Sequence, residues 1–576
     1  MNNRLFAWRP ALLSVFALCN LLAAQAASVA PVAGANGMVV SAQHLATQVG
    51  VQVLKDGGNA VDAAVAVGYA LAVVYPAAGN LGGGGFMTLQ LADGRKTFLD
   101  FREKAPLAAT RDMYLGADGQ VVKGLSTTGH LAVAVPGTVA GLELALSKYG
   151  TRKRAEVLAP AIALAEGGFT LDDGDIEMLA TATEAFRRDP ASAAIFLNQG
   201  QPWAVGERLV QADLARTLRQ IAERGEAGFY RGPVGAAIVA ASLAGKGLVS
   251  QADLESYRPR ELAPVECDYR GVHVVSAPPP SSGGVVLCEM LKVLEGYPLK
   301  DWGYRSARAV HVQIEAMRHA YVDRNNSLGD PDFVANPVAR LTSPAHAERI
   351  RAAIDPARAG ISQRILPGVP PHEGSNTTHF SVIDRFGNAV ALTYTLNDWF
   401  GAKVLAAGTG VLLNDEMDDF TAKLGVPNQF GLVQGEANAI APGKRPLSSM
   451  SPTILTQDGK PLLVLGTPGG SRIITAMLHT ILNVVDYGMN VQEAVDAPRF
   501  HQQWLPETTN LERYALSPDT EQMLAAMGHK FSGPQPANHL AAILVGAPTL
   551  GGKPVPGKRY FGANDPRRNS GLALGY

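Results

Sequence analysis

Residues 373–397 read Glu-Gly-Ser-Asn-Thr-Thr-His-Phe-Ser-Val-Ile-Asp-Arg-Phe-Gly-Asn-Ala-Val-Ala-Leu-Thr-Tyr-Thr-Leu-Asn. Two runs rich in β-formers, Thr377–Ile383 and Ala389–Leu396, flank the turn-forming cluster Asp384-Arg385-Phe386-Gly387-Asn388, so the stretch is expected to be a hairpin. A three-residue loop at Arg385–Gly387 places Thr377 opposite Thr395, and a four-residue loop shifts that pairing by one. Side chains alternate along a strand, so Thr393, Thr395 and Asn397 share a face. Upstream, Asp355–Asn376 is rich in Pro, Gly and charge and reads as an exposed segment. A loop running into a strand that begins Thr-Thr is a place where chain cleavage could create an N-terminal nucleophile.

A threonine hydroxyl is a poor nucleophile without a base beside it. If the chain is cut before Thr377, the new α-amine has an ordinary pKa of about 8, close to working pH. That amine can take the hydroxyl proton, so nucleophile and base sit on one residue. On this stretch alone an ordinary hairpin is the simpler reading, because threonine is common in strands.

Longer motifs decide between the two. Asn376-Thr377-Thr378-His379-Phe380-Ser381-Val382, Tyr394-Thr395-Leu396-Asn397 and Asn414-Asp415-Glu416-Met417-Asp418-Asp419-Phe420 follow one another in order. Arg445-Pro446-Leu447-Ser448-Ser449-Met450-Ser451-Pro452-Thr453 and Pro468-Gly469-Gly470-Ser471-Arg472 come after them. Gly57–Ala64, Gly82-Gly83-Gly84-Gly85-Phe86-Met87 and Asp100-Phe101-Arg102-Glu103-Lys104-Ala105-Pro106 come before. Together they resemble the γ-glutamyltransferase family, over essentially everything after residue 35. The resemblance implies an α/β fold, the four-layer αββα sandwich of N-terminal nucleophile hydrolases. It also implies cleavage between Asn376 and Thr377, giving a large subunit 27–376 and a small catalytic subunit 377–576 that form a heterodimer.

The same resemblance implies roles. Thr377 is the nucleophile, supported by Thr395, and the backbone N–H groups of Gly469 and Gly470 receive the oxyanion. Arg102, Ser448 and Ser449 hold the donor α-carboxylate, a task that suits the planar fork of arginine. Asn397, Glu416 and Asp419 hold its α-amino group. The donor would be glutathione or another γ-glutamyl compound, and the acceptor water, an amino acid or a peptide amine. Residues 425–439 match the family's lid. Here Phe430 stands where relatives with a lid often have Tyr, and Phe cannot bond the residue matching Asn397. An apolar lid contact between Phe430 and Trp399 is the expectation instead.

The remaining chain sets bounds. Hydrophobic residues make up 47% and charged residues 18%, which favours a large folded core over disorder. Net charge is −1 with no basic tract, which argues against a nucleic-acid or anionic-membrane partner. Residues 1–26 read as a secretory signal, with Arg4 and Arg9 before the apolar run Ala11–Ala24 and a small-x-small site at Ala24-Gln25-Ala26. Cys19 lies inside that run and carries no lipoprotein signature. A periplasmic or secreted protein without a membrane span after signal removal is expected. Cys267 and Cys288 could pair there, but Cys288 sits in an apolar run where a small buried hydrophobe fits, and that reading is the stronger.

Asn59 is expected to cap a buried helix from Ala60 towards Val74, stopped by Pro76. Gly82–Gly85 lacks the ordered pattern of a phosphate loop and reads as backbone packed beneath the site. Residues 130–265 are mostly helical in pattern. The helix near Ser306–Asp323 carries His311, Glu315 and His319. The outer two are eight residues apart, about 12 Å along a helix, so one shared ion is not expected. No metal and no cofactor are expected. Two rival functions are a glutaryl (cephalosporin-type) acylase of the same fold and a non-catalytic periplasmic binding protein. Asp419 and Glu416 argue against the first, because a glutaryl group has no amine; Thr377, Arg102 and the paired glycines argue against the second.

Overall fold

The computed structural model describes residues 28–362, 377–534 and 538–576. The signal assigned to 1–26 and the cleavage-site residue Asn376 lie outside the described residues. Within Pro31–Tyr576 two seven-stranded antiparallel sheets face each other. The first runs, edge to edge, Val32–Gly34, Tyr560–Asn564, Ala541–Val545, Lys460–Gly466, Thr453–Gln457, Val272–Ser276 and Val265–Tyr269. The second runs Leu572–Gly575, Met38–Ser41, Thr377–Ile383, Ala389–Thr395, Gly84–Gln90, Lys96–Phe101 and Arg260–Leu262.

The alternation of side chains builds the layers. Met38, Val40, Ile383, Ala389 and Ala391 of the second sheet meet Ile454, Val464, Ala541 and Ile543 of the first in a thin apolar layer between the sheets. The opposite face of the second sheet, with Val39, Phe380, Val382, Val390 and Leu392, packs against helices that include Ala60–Val74 and Thr138–Tyr149. The outer face of the first sheet, with Val274, Leu455, Leu463 and Leu544, packs against Gly283–Leu294, Ala307–Ser327 and Arg472–Val485. The result is the expected αββα sandwich. Both sheets contain strands from before and after position 377, so a cut there would leave two pieces sharing one core.

Local chemistry explains the elements that carry the site. The helix Ala60–Val74 starts at Asn59, whose side chain accepts from Val61 and Asp62 while Asp62 reaches back to the Asn59 N–H. Every residue of that helix is buried. The hairpin forms with Thr377 opposite Thr395, the register of the three-residue loop. The glycine run brings the neighbouring strand and its approach unusually close: a Cβ on Gly83 would stand 1.9 Å from the Thr395 carbonyl, and one on Gly85 2.5 Å from that of Thr393. These are the close backbone contacts that glycine alone permits.

One expectation is corrected. Cys267 and Cys288 form a disulfide, with Cα atoms 6.0 Å apart. The strand Val265–Tyr269 lies directly against the helix Gly283–Leu294, a proximity that no local pattern in the sequence reveals. Among the described residues no helix is long and apolar enough to cross a membrane.

Candidate active site

Thr377 opens its strand at the edge of a cavity of about 310 Å³. Its hydroxyl donates to Thr395 Oγ1 at 3.3 Å. Thr395 Oγ1 also accepts the Asn397 N–H at 2.8 Å, so the end of the second strand and Thr377 are locked together. Arg102, Asn397, Glu416, Asp419, Phe430, Ser448, Ser449 and Gly470 line the same cavity. The structure thus gathers nine of the other residues singled out in the sequence around Thr377, from segments up to several hundred positions apart.

Arg102 directly follows the strand Lys96–Phe101 and is fully buried. Its Nη1 donates to Glu416, its Nη2 to Asp419, and its Nε to the Pro446 carbonyl at 3.1 Å. Glu416 and Asp419 are brought to it by a single 3₁₀ turn, Glu416–Asp419. Glu103 is buried beside them, 3.6 Å from Arg102 Nη1, and neither of its oxygens makes a hydrogen bond. Burial pushes Glu103 up to about 7 against the opposing pull of Arg102, and burial likewise holds Glu416 well above the usual carboxylate range. Asn397 has φ +79°, and its Nδ2 is spent on the Asp415 carbonyl at 3.0 Å. Its Oδ1 is therefore the atom left to accept from an ammonium group.

Gly469 and Gly470 have φ +133° and +55°, conformations that disfavour any side chain. Their carbonyls accept from Arg472 and Ile473 as the helix Arg472–Val485 begins. Their N–H groups make no hydrogen bond among the described residues, which leaves them as donors. Gly470 lines the cavity under the ring of Phe430, and Gly469 packs on Asn538. Ser448 Oγ accepts the Met450 N–H at 3.1 Å, and Ser449 Oγ accepts from Arg324 at 3.0 Å.

The segment 425–439 is tied to the acidic turn. Asn428 Nδ2 donates to Asp419 at 3.3 Å, the Gln429 N–H to Asp418 at 3.0 Å, and Gln434 Nε2 to the Asp419 carbonyl at 3.0 Å. Phe430 is held over Gly470, its carbonyl accepting from Gln503 Nε2 at 3.2 Å. The expected partner Trp399 is elsewhere. Its ring stacks under the Arg568 guanidinium at 4.7 Å and meets the edge of Tyr75 at 6.2 Å. Asn397 and Phe400 both take positive φ, which turns the chain away from the cavity after Thr395 and carries Trp399 into the helical layer.

Two further points bear on the chemistry. His379, two residues from Thr377, is buried between the sheets and bonded to Thr393 and Ser381 at 2.8 and 3.1 Å. Burial lowers it to about 3, so it stays neutral and cannot serve as a titrating base near pH 7. Among the described residues two clusters bring three metal-type ligand atoms within 4.8 Å, His311 with Glu315 and His529, and Glu289 with Asp323 and His346. In the first, His311 Nε2 donates to the Asp355 carbonyl and its Nδ1 accepts from His529, both at 2.8 Å. In the second, Arg349 donates to His346 Nδ1 at 2.8 Å, which puts the proton on Nε2, facing Glu289 and Asp323. These hydrogen bonds already use both ring nitrogens of His311 and of His346.

Arg324 is the charged cavity residue that the sequence does not single out. The helix that carries it runs one turn beyond the Ser306–Asp323 stretch read from the pattern, to Ser327, and that last turn faces the cavity.

The chain matches the model of the gamma-glutamyltranspeptidase family over residues 46–575. It is 69% identical to a glutathione hydrolase proenzyme of Pseudomonas sp. strain A14 over the whole of both chains. The crystal structure of Helicobacter pylori gamma-glutamyltranspeptidase is 46% identical over 58% of this chain and 96% of that one, with a TM-score of 0.55. A cephalosporin acylase from Bacillus halodurans is 27% identical over 96% of this chain and 98% of that one, with a TM-score of 0.82.

The buried acids make stability depend on pH. An unfolded Glu103 loses its proton near 4.5, whereas the folded one keeps it to about 7. Between those values the folded state binds the extra proton, so its stability falls as pH rises, by on the order of 3 kcal/mol once pH passes the folded value. Glu103→Gln should flatten the decline of the melting temperature between pH 5 and pH 7.5. Melting curves that decline in parallel for the two proteins would show that Glu103 titrates as an ordinary carboxylate.

Proposed function

This chain belongs to the gamma-glutamyltranspeptidase family, and from that premise we propose that Thr377 both cuts its own chain and carries the γ-glutamyl group. The activity is hydrolysis of glutathione and transfer of γ-glutamyl groups. The observation that carries the site assignment is the Thr377 hydroxyl, bonded to Thr395 at 3.3 Å, at the wall of a cavity lined by both acidic and cationic groups.

Maturation comes first. The Thr377 hydroxyl attacks the Asn376 carbonyl, the peptide nitrogen leaves as the new α-amine, and water opens the ester. The large subunit then ends at 376 and the small one begins at Thr377. In catalysis that amine takes the proton of the Thr377 hydroxyl as the oxygen attacks the donor γ-carbonyl. The N–H groups of Gly469 and Gly470 receive the developing oxyanion. The leaving amine, cysteinylglycine when the donor is glutathione, departs with the proton. Water or an acceptor amine then attacks the γ-glutamyl ester and regenerates the threonine. Asp419, Glu416 and Asn397 receive the donor ammonium, and Ser448 and Ser449 face its carboxylate beside Arg102. Phe430 closes the wall above Gly470 by apolar contact and limits water at the ester. The signal at 1–26 sends the protein out of the cytoplasm, to the periplasm or beyond.

Thr377→Ala should remain one uncut chain and release no glutamate from a γ-glutamyl anilide. The native protein should give two fragments, and N-terminal sequencing of the smaller should begin Thr-Thr-His-Phe. Maturation of Thr377→Ala at the same bond would falsify self-processing by this residue.

A glutaryl acylase is the alternative that shares this fold, and the acidic turn separates the two. Asp419→Asn removes a charge-assisted contact to the donor ammonium, roughly a tenfold to hundredfold loss in kcat/KM on a γ-glutamyl anilide. The loss on the matched glutaryl anilide should be much smaller. An equal loss on both would mean that Asp419 serves Arg102 and the fold instead of reading the amine.

A further inference from the structure

Gly469 and Gly470 are strung between Pro468, whose ring fixes its own φ, and Ser471, which opens the helix Arg472–Val485. Neither glycine has a side chain that could hold it in place. Whatever fixes Ser471 therefore helps fix where their N–H groups point. One such hold comes from the part of the chain before position 377. Tyr321, in the helix Ala307–Ser327, is fully buried, and its hydroxyl donates to the Ser471 carbonyl. In the matured protein this would be a bond between subunits.

The backbone does not demand that bond. Ser471 is the N-cap residue, so its carbonyl already takes the first bond of the helix. Packing does not demand it either. The Tyr321 ring sits in an apolar core with Ile473, Met477 and Phe430, where a phenylalanine would bring no hydroxyl to satisfy. Neighbouring contacts lead to the same turn. The Tyr321 ring meets the His501 ring edge-on, with centroids 5.6 Å apart. Gln503 spends its Nε2 on the Phe430 carbonyl at 3.2 Å, so its Oε1 faces His501 Nε2, 2.8 Å away, and accepts. The His501 proton is then on Nε2, and Nδ1 accepts the Thr475 hydroxyl at 2.9 Å. Burial lowers His501 to about 3, so it stays neutral near pH 7. The first turn of the helix is thus held at two points, Ser471 by Tyr321 and Thr475 by His501.

We infer that Tyr321 is a positioning residue for the Gly469–Gly470 turn: its hydroxyl, from the large-subunit side of the chain, fixes Ser471 and with it the aim of the two N–H groups. The inference rests on the γ-glutamyl transfer reading, in which those groups receive the oxyanion. Tyr321 touches no substrate in this account and acts through Ser471 alone.

The test uses the matured enzyme with two probes. One is a γ-glutamyl anilide. The other is a boronic acid carrying the γ-glutamyl chain, which adds the threonine oxygen and becomes a tetrahedral anion. Tyr321→Phe removes the hydroxyl and keeps the ring. Formation and breakdown of the ester both pass through an oxyanion, so both steps should slow. The expected result is a roughly tenfold fall in kcat with KM within about twofold of native, because misaimed donors weaken the transition state and not the bound donor. The inhibition constant of the boronate should rise by about the same factor. Tyr321→4-aminophenylalanine, which keeps an N–H donor at the tip of the ring, should bring kcat to within about threefold of native. That variant also carries the test should Tyr321→Phe fail to mature into two fragments. A Tyr321→Phe enzyme with native kcat, or one whose loss lies in KM while the boronate binds as before, would overturn the inference. A 4-aminophenylalanine enzyme still about tenfold slow would overturn it too. A native enzyme that turns over no γ-glutamyl anilide would instead sink the γ-glutamyl reading itself.

Discussion

The pairing of Thr377 with Thr395 is the constraint on which this site depends. The two strands lie in the middle of their sheet, between Met38–Ser41 on one side and Gly84–Gln90 on the other. A slip of one residue would turn every side chain to the other face and put the apolar set of Phe380 and Val382 where the polar set belongs. Burial on both faces makes that slip costly. The glycine run adds a second lock, because its backbone sits against the Thr395 and Thr393 carbonyls at distances no Cβ could share. Thr377, the proposed nucleophile, is thus positioned by main chain, and the rest of the site is arranged around it.

Charge is the second organising force. Two buried guanidinium groups and three buried acids share one small region, and several of their atoms lack hydrogen bonds, Glu103 Oε1 and Oε2 and Glu416 Oε2 among them. Ionic groups buried in this way rarely repay their desolvation by mutual attraction alone. A core built for stability would hold apolar residues here. A cavity built for a zwitterion needs both signs, separated, dry and fixed before the ligand arrives. The neutral, buried His379 fits the proposed mechanism: with no imidazole able to titrate near pH 7 beside Thr377, that mechanism assigns base catalysis to the amine that chain cleavage would create.

What could be read from the sequence was what is local. The hairpin, the Asn59 cap and the packed glycines each follow from a few neighbouring residues, and each took the expected form. The acidic turn and the two serines were legible only through their resemblance to a family, since loose acids and paired serines are ordinary by themselves. The misses are tertiary. The disulfide depends on a strand and a helix that meet through the fold. Trp399 was placed near Phe430 by its closeness to Asn397 in sequence, and two positive-φ residues send it the other way. Arg324 sits one turn past a helix whose apolar spacing reads as core, and nothing in that spacing says that its last turn faces a cavity.

The central claim is that Thr377 forms an ester with the γ-glutamyl group. The direct measurement is to mix the mature enzyme with a γ-glutamyl donor, quench in acid within the first turnovers, and weigh the peptides of the small subunit. The account predicts that the peptide beginning at Thr377 gains the mass of one γ-glutamyl group, that the gain disappears in mild base, and that added acceptor amine shortens its life. An unmodified Thr377 peptide during turnover, or the same mass on any other peptide, would contradict it.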